Sequence, residues 1–116
     1  MGTQWITHKG KKIFYTDHRG LQSAQLIANG EEATKLIEQS LEKILVLTNF
    51  VGIMANQDIL DATKRWGRRI ETKVLKHAVI IDNPLQEAAV NFYNVITRQH
   101  VRAFTSEVEA KDWLVS

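Results

Sequence analysis

Apolar and polar residues along this chain alternate between strand-like and helix-like patterns. The segments Trp5 to His8 and Lys12 to Asp17 favour two short strands, and the Lys9-Gly10 pair between them predicts a hairpin turn. Ile44 to Thr48 is a continuous apolar run, which is typical of a strand buried on both faces of a parallel sheet. Two more strands are predicted, Ala78 to Ile81 and Val101 to Phe104.

Capping residues and helical spacing predict four helices. The expected N-terminal residues are Ser23 for the first helix, Asn56 for the second, Asn83 followed by Pro84 for the third, and Ser106 with Glu109 for the fourth. The fourth helix is expected to end at Trp113-Leu114. The predicted buried faces are Leu26, Gly30, Ala33, Ile37 and Leu41 in the first helix, Ile59, Ala62, Trp66 and Ile70 in the second, and Leu85, Ala88, Ala89, Phe92 and Ile96 in the third.

The order of these elements, β-β-α-β-α-β-α-β-α, predicts an α/β fold. Strands that alternate with helices indicate a mixed, mostly parallel sheet with right-handed crossovers, to which the N-terminal hairpin adds an antiparallel strand. Gly30 costs about 1 kcal/mol against alanine within a helix. Its place on the apolar face predicts that the helix backbone packs close to the sheet, and Gly67 is a weak point of the second helix.

Four segments together resemble the SpoIIAA-like branch of the STAS domains, relatives of bacterial anti-sigma-factor antagonists. They are IFYTDHRGL (Ile13 to Leu21), KILVLTNFVG (Lys43 to Gly52), HAVII (His77 to Ile81) and VRAFTSEVEAKDWL (Val101 to Leu114). The resemblance spans nearly the whole chain. It implies a βα superhelix with most helices on one side of the sheet, a fold shared with lipid-carrying CRAL-TRIO domains.

The chain departs from this family at the regulatory phosphorylation site. The antagonists carry an Asp-Ser-x-Gly-like element at the start of the second helix, and its serine is the phosphorylation switch. The corresponding residues here, Met54-Ala55-Asn56-Gln57, contain no Ser or Thr. Phosphorylation acts there by placing negative charge against free helix N–H groups. We therefore expect no phosphoserine switch; Thr48 is the nearest hydroxyl, at a strand end where β-branched residues are common.

Length and composition indicate an ordinary globular protein. The 116 residues suit one domain, residues 1–116, with a formal net charge of +2 and no cysteine, which excludes disulfides and thiolate metal sites. No apolar run approaches the roughly 20 residues that span a bilayer, and the N-terminus lacks a signal-peptide pattern. The expected location is the bacterial cytoplasm.

Catalytic and metal-binding signatures are absent from the sequence. His8, His18, His77 and His100 lie outside metal-ligand spacing of one another, and no nucleotide-binding or hydrolase motif occurs. Asp17-His18-Arg19 is the most polar strand end, and we expect a turn stabilised by Asp17 with His18 exposed. We therefore expect that the protein is not an enzyme and that it has no catalytic residues, metal site or cofactor.

The most informative stretch is the apolar loop Phe50 to Met54, which follows the third strand. Its large side chains either fold back under the second helix or form a lid or contact surface, with Gly52 as a bend. The predicted ligand or partner contacts are Phe50, Val51, Ile53, Met54, Asn56, Asp82 and Asn83. The predicted basic docking face is Lys64, Arg65, Arg68 and Arg69, with the alternative that Asp61 pairs with Arg65 on a solvated helix face.

Two functions compete on this evidence. The first is a non-enzymatic regulatory or protein-interaction module with an unknown protein partner, able to form a homodimer through a sheet edge or the apolar loop. The alternative is a carrier or sensor of a small apolar ligand or lipid, with peripheral contact to an anionic membrane. Tyr93, Arg98, His100 and Arg102 lie on different elements without an RNA-module signature, so the pattern does not favour nucleic acid.

Overall fold

The computed structural model of the chain describes residues 2–97 and 99–116. These residues form five strands and four helices in the predicted order. The strands are β1 (Gly2–His8), β2 (Lys11–Asp17), β3 (Ile44–Asn49), β4 (Val74–Ile80) and β5 (Arg102–Phe104). The helices are α1 (Ser23–Glu38), α2 (Gln57–Ile70), α3 (Pro84–Thr97) and α4 (Glu107–Val115).

The five strands form one sheet in the order β1-β2-β3-β4-β5. β1 and β2 are antiparallel, and every later pair is parallel, which confirms the α/β class and the mixed, mostly parallel sheet. The hairpin turn places Lys9 at φ 49° and Gly10 at φ 82°. Both values lie in the left-handed region that a two-residue hairpin requires, so the turn fixes the register of β1 on β2.

The helices lie on both faces of the sheet, three on one face and one on the other. Ala33 and Ile37 of α1 pack against Phe14 and Val46, and α2 and α3 follow on the same face. The opposite face is covered by α4, and its core consists of Ile13, Tyr15, Leu45, Leu47, Ala78, Ile80, Ala110 and Leu114. Most helices therefore lie on one side, as the resemblance implies.

The predicted helix starts are confirmed for three of the four helices. Asn56 accepts a hydrogen bond from the Ile59 N–H at 3.0 Å, and Asn83 and Ser106 cap α3 and α4 in the same way. The expectation for Ser23 was wrong, because Gln22 is the N-cap of α1. The Ser23 hydroxyl instead accepts from the Asn56 side chain at 2.8 Å and ties the first turns of α1 and α2 together.

Two buried faces differ from their predictions. Leu41 is 98% exposed because α1 ends at Glu38. In α3 the predicted core stripe faces solvent: Leu85 is 78% and Phe92 58% exposed, Ile96 is exposed as well, and Gln86 is the buried residue. α3 therefore turns a different side to the sheet, with Val90 and Tyr93 packed inward.

At the two helical glycines, Gly30 and Gly67, an aromatic ring of the following helix packs against the helix backbone. A Cβ on Gly30 would overlap the six-membered ring of Trp66 in α2, so α1 packs close to α2 at this point and not to the sheet as predicted. A Cβ on Gly67 would overlap the hydroxyl end of Tyr93 in α3. The neighbouring Gln99 donates to the Gly67 carbonyl oxygen at 2.7 Å and accepts from the Tyr93 hydroxyl at 3.1 Å.

Candidate functional site

A cavity of ≈ 140 Å³ lies between the sheet and helices α1, α2 and α3. Its walls are mostly apolar and include Ile37, Val46, Ile59 and Val79. Of the described residues that line it, none is Asp, Glu, Lys or Arg. Leu60 of α2 and Ala89 of α3, which also line the cavity, are only partly buried.

The floor of the cavity is polar where it meets the sheet. Thr16 of β2 and Thr48 of β3 are neighbours in the strand register and project to the same face. His18 follows β2, and His77 lies on β4. These four side chains bring two hydroxyls and two imidazoles to the sheet side of a cavity whose remaining walls are mostly apolar. No local signal in the sequence groups these four residues, because the parallel register of three strands brings them together.

His18 is buried, contrary to the expectation that it is exposed. Only 2% of its surface is accessible, and its ring packs against Phe50 at 5.0 Å and Trp66 at 6.4 Å between ring centroids. The expected turn is present, because the Arg19 N–H donates to the Asp17 carboxylate at 3.0 Å. Burial lowers the pKa of His18 to about 4 and outweighs the opposing effect of Asp17, so the ring is neutral at pH 7.

A single asparagine selects the tautomer of His18. Asn29 Nδ2 donates to the Asp17 carbonyl oxygen at 3.2 Å, which orients the amide, and lies 3.1 Å from His18 Nδ1. Because an amide nitrogen is a donor only, Nδ1 accepts this bond and the ring proton is on Nε2. The imidazole is therefore held in one orientation at the cavity wall.

His77 has a buried ring nitrogen that the fold leaves without a partner. Its Nε2 lies 2.9 Å from the Thr48 hydroxyl. Its Nδ1 is buried, and within residues 2–97 and 99–116 no hydrogen-bond partner reaches it. Burial lowers the pKa of His77 to about 4, so this ring is also neutral at pH 7. Buried polar groups in native proteins are nearly always paired, so this nitrogen is an exception among the described residues.

Gln86 of α3 holds the apolar loop against the cavity. Its Nε2 donates to the carbonyl oxygens of Phe50 and Ile53, both at 2.7 Å, and its Oε1 accepts from the Asp82 N–H at 2.8 Å. Phe50 and Ile53 thereby become part of the cavity wall. The pattern of the sequence did not identify this role, since a glutamine at the third helical position is equally typical of a capping box.

The predicted contact residues are divided between three environments. Phe50 and Ile53 line the cavity, whereas Val51 packs against the core on the opposite face of the sheet. Met54 is 85% exposed. Asn56, Asp82 and Asn83 have structural partners: the two asparagines cap α2 and α3, and Asp82 accepts from the Gly52 N–H at 3.0 Å.

The predicted basic face of α2 is partly neutralised. Arg69 is paired with Glu31 at 2.6 Å and Glu38 at 2.7 Å on α1, and these bonds lower the pKa of both carboxylates. Asp61 lies 4.0 Å from the Lys64 ammonium, so the i,i+4 pair with Arg65 expected for Asp61 is replaced by an i,i+3 contact. Arg65 and Arg68 are exposed.

Metal-ligand clusters and membrane-spanning helices can be sought only in the part of the chain that the structure describes. In residues 2–97 and 99–116 no group of three or more metal-ligating side chains lies close enough to hold an ion. No helix within those ranges combines the length and apolar character needed to cross a membrane. Arg98, one of the residues weighed for nucleic-acid contact, lies outside the described residues.

The geometry and topology are those of a known fold. No protein-family model and no curated protein matches the chain. Among solved structures it is similar to an uncharacterised protein from the DUF3478 family with a SpoIIAA-like fold, from Shewanella loihica PV-4. The TM-score is 0.66, with 18% identity over 97% of this chain and 91% of that chain. The chain therefore has a SpoIIAA-like fold, as the resemblance implied, and at this identity the likeness shows the fold alone.

Proposed function

We propose that this chain is a non-enzymatic module that binds a small, neutral, mainly apolar ligand between the sheet and helices α1 to α3. The observation that carries the proposal is the cavity of ≈ 140 Å³ with its uncharged lining. A dry cavity of about 150 Å³ in a protein core is known to take up benzene or xenon. The space therefore suits a molecule of roughly one ring, and a larger one if α3 moves outward.

The charge of the ligand follows from the same walls. Both imidazoles are neutral at pH 7. An anion would lose its hydration without gaining a cation, which costs several kcal/mol in a buried site. The same penalty applies to a cation, because no carboxylate among the described residues lines the cavity. The Thr48 hydroxyl is hydrogen-bonded to His77, but no charged side chain among the described residues lines the cavity to stabilise a developing charge, which supports a binding role over catalysis.

Xenon NMR on the intact chain tests whether the cavity takes up an apolar guest. We expect a saturable xenon shift for the wild type and its loss in Ala33→Leu, because Ala33 lines the cavity and the larger side chain fills it. Ala28→Leu is the matched control, since Ala28 is on the same helix and exposed. A wild-type response no larger than that of a solvent blank contradicts the proposal, and so does an unchanged response in Ala33→Leu.

Native mass spectrometry of protein purified from its own host then addresses the natural ligand. A reproducible added mass that denaturation releases supports a ligand carrier and gives the class of compound. The Ala33→Leu variant should carry less of that mass than Ala28→Leu. Equal loading of the two variants places the compound elsewhere on the protein and contradicts binding in the cavity.

A second candidate function, an interaction module, is favoured by the outer face of α3. Leu85 and Val95 are each 78% exposed and Phe92 is 58% exposed, along a helix whose only charged residue is Glu87. The Lys64 ammonium lies 5.7 Å from the centre of the Phe92 ring. Apolar side chains beside a partly exposed cation fit an anionic lipid membrane, and we take such a membrane as the partner.

Liposome flotation tests whether the outer face of α3 binds an anionic membrane. We expect the wild type to float with vesicles containing phosphatidylglycerol and not with phosphatidylcholine alone. The double variant Phe92→Ser with Val95→Ser should stay in solution, whereas Val108→Ser, at an exposed apolar residue of α4, should float. No flotation of the wild type contradicts the lipid version, as does concentration-dependent self-association through α3 in sedimentation.

A further inference from the structure

The two edges of the sheet differ in how they are protected. β5 has only three residues and begins with the charged Arg102. Asn94 of α3 bonds to both backbone groups of Val101, the residue before β5, with the N–H at 3.0 Å and the carbonyl oxygen at 2.7 Å. Short length, charge and cover by a helix are among the devices by which native proteins keep an edge strand from pairing with another chain.

The opposite edge strand, β1, lacks these devices. It is seven residues long and contains no Asp, Glu, Lys, Arg or Pro. It pairs residue by residue with β2 from Gly2 to His8, without a bulge. In an antiparallel pair, alternate residues turn their N–H and C=O groups away from the partner strand. Among the described residues no loop or helix backbone bonds to β1, so these outward groups form a regular, open row.

The middle residue of β1 is a half-exposed tryptophan. Trp5 keeps 52% of its surface accessible, and its ring packs edge-on against Phe14 of β2 at 5.2 Å between centroids. The buried cores under α1 and α4 are built from β2, β3 and β4, so neither helix is centred over β1. A large apolar ring therefore lies beside the open backbone of the edge.

We propose that β1 pairs with the same strand of a second copy of this chain, antiparallel and centred on Trp5, so that the two sheets join edge to edge. This register uses the whole strand from Gly2 to His8. It sets Thr3 opposite the partner's Thr7 and the two Trp5 rings opposite each other. The inference is independent of the proposed ligand-binding function, since β1 does not line the cavity.

The strand is self-complementary in this register. Because β1 has no residue with a fixed charge, the pairing sets no like charges opposite each other. His8 faces the partner's Gly2, and its own ring is held by Asp112 at 2.7 Å. Threonine pairs and aromatic pairs across antiparallel strands are stabilising. The formal charge of +2 per chain adds little repulsion between the copies.

The size of the contact predicts a weak dimer. Seven residues from each chain form the strand pair, whereas a stable interface takes about 20 to 30 residues a side. We therefore expect a reversible dimer with a Kd of about 0.1 to 1 mM. Sedimentation velocity over concentrations on both sides of that value measures it for the wild type.

Two double variants test the edge and the register together. In Thr3→Lys with Thr7→Lys every new lysine faces a lysine of the partner, and the Kd should rise about tenfold. In Thr3→Lys with Thr7→Glu every new lysine faces a glutamate of the partner, and the dimer should be at least as tight as that of the wild type. Within one chain the two positions lie about 13 Å apart along the strand, so they do not pair with each other.

Variants with substitutions away from β1 provide the controls. Leu41→Lys with Gln57→Lys adds the same charge at two exposed residues and should leave the Kd within about twofold of the wild type. Phe92→Ser with Val95→Ser changes the outer face of α3 and should also leave it unchanged. Loss of the dimer in this second control assigns self-association to α3 and overturns the proposal.

Disulfide trapping gives a second measurement that does not depend on the charged variants being folded. The natural chain has no cysteine, so introduced thiols are the only ones present. Opposite residues of an antiparallel pair have Cα atoms about 4.5 to 5.5 Å apart, which a disulfide can span. An equal mixture of Thr3→Cys and Thr7→Cys should give a linked heterodimer on mild oxidation, whereas either variant alone should stay mostly unlinked.

Each of these measurements can overturn the proposal. A wild type that stays monomeric over the whole concentration range contradicts pairing of the edges. A dimer that Thr3→Lys with Thr7→Lys leaves intact does not use β1. If the Lys/Glu variant is weakened as much as the Lys/Lys variant, or if each cysteine variant links to itself as well as to the other, the register centred on Trp5 is wrong.

Discussion

The six-membered ring of Trp66 lies where a side chain on Gly30 would be, so α2 rests directly on the backbone of α1. The Trp66 indole N–H donates to the Glu31 carboxylate at 3.1 Å, which fixes the ring beside the glycine. The same arrangement is repeated one helix further, with Tyr93 of α3 over Gly67 of α2. These two contacts set the spacing of the three helices above the cavity.

The substitution Gly30→Ala should destabilise the protein. Alanine favours the helix by about 1 kcal/mol, but the overlap with Trp66 should cost about 1 to 3 kcal/mol beyond that gain. Urea unfolding followed by circular dichroism measures the difference. Ala28→Gly, at an exposed residue of the same helix, gives the propensity effect alone. A Gly30→Ala protein more stable than the wild type contradicts a close approach of the two helices.

The contact of Tyr93 with Gly67 predicts a coupling between two substitutions. Gly67→Ala should destabilise the protein, because the new methyl group meets the Tyr93 hydroxyl first. Tyr93→Phe removes that hydroxyl and should recover part of the loss, giving a coupling of about 1 kcal/mol in a double-mutant cycle. Thermal unfolding of the four proteins provides the measurement. Strictly additive effects contradict the contact.

The two buried histidines predict a loss of stability in mild acid. The pKa of His18 and of His77 is lowered by burial from 6.5 to about 4. As the pH falls below 6.5, the unfolded chain binds protons that the native protein does not, so the free energy of unfolding decreases until the native pKa is reached. Between pH 7 and pH 5 the loss should be about 2 kcal/mol per histidine, and above pH 7 these groups have no effect.

Denaturant unfolding at several pH values checks this pH dependence. The substitution His77→Gln should remove about half of the decrease between pH 7 and pH 5. His100→Gln changes an exposed histidine and should leave the decrease as it is in the wild type. A free energy of unfolding that stays constant over this interval contradicts neutral, buried rings.

Gln86 predicts that the loop from Phe50 to Met54 and helix α3 are stabilised together. The substitution Gln86→Met leaves the carbonyl oxygens of Phe50 and Ile53 without their donor and should cost about 2 kcal/mol. Hydrogen exchange in residues 50–54 should become faster in the same variant. Gln57→Met, at an exposed glutamine, should change stability by less than about 0.5 kcal/mol. If the rate of amide hydrogen exchange in residues 50–54 is unchanged, the hydrogen bonds of Gln86 do not stabilise the loop.

Local signals in the sequence were sufficient for the sheet and for most helix starts. The Lys9-Gly10 turn, the apolar run of β3 and the caps Asn56 and Asn83 each depend on residues close together in the chain, and the structure has all of them. Such features follow from backbone geometry and short-range hydrogen bonds. The alternation of strands and helices predicted the parallel pairing, whereas the strand order β1-β2-β3-β4-β5 comes from the structure alone.

The orientation of α3 could not be obtained from periodicity. The helix has one apolar stripe through Leu85 and Phe92 and a second through Val90 and Tyr93, so helical spacing supports either face. Two long-range contacts decide which face of α3 is buried. The Tyr93 ring packs against the backbone of Gly67, and the Gln86 side chain donates to two carbonyl oxygens of the loop after β3. Both partners are far away in the sequence, and neither has a local signature.

The polar floor of the cavity was missed for a similar reason. His18 lies between Asp17 and Arg19, a context that favours exposure, yet Phe50 and Trp66 from distant segments cover it. The sequence around His77 is that of an ordinary apolar strand. The significance of His77 comes from the parallel register that sets β4 beside β3 and brings Thr48 within reach.

The sequential order of the strands has a consequence for how the chain assembles during synthesis. Each strand pairs with the one made before it, so the sheet and the layer of α1 to α3 can form as the polypeptide emerges from the ribosome. The other face, with Leu47 and Ala78, stays bare until α4 has been translated. Helix α4 therefore covers the last exposed apolar face of the nascent protein. A ribosome that pauses before α4 is complete would leave this apolar face accessible to chaperones and proteases.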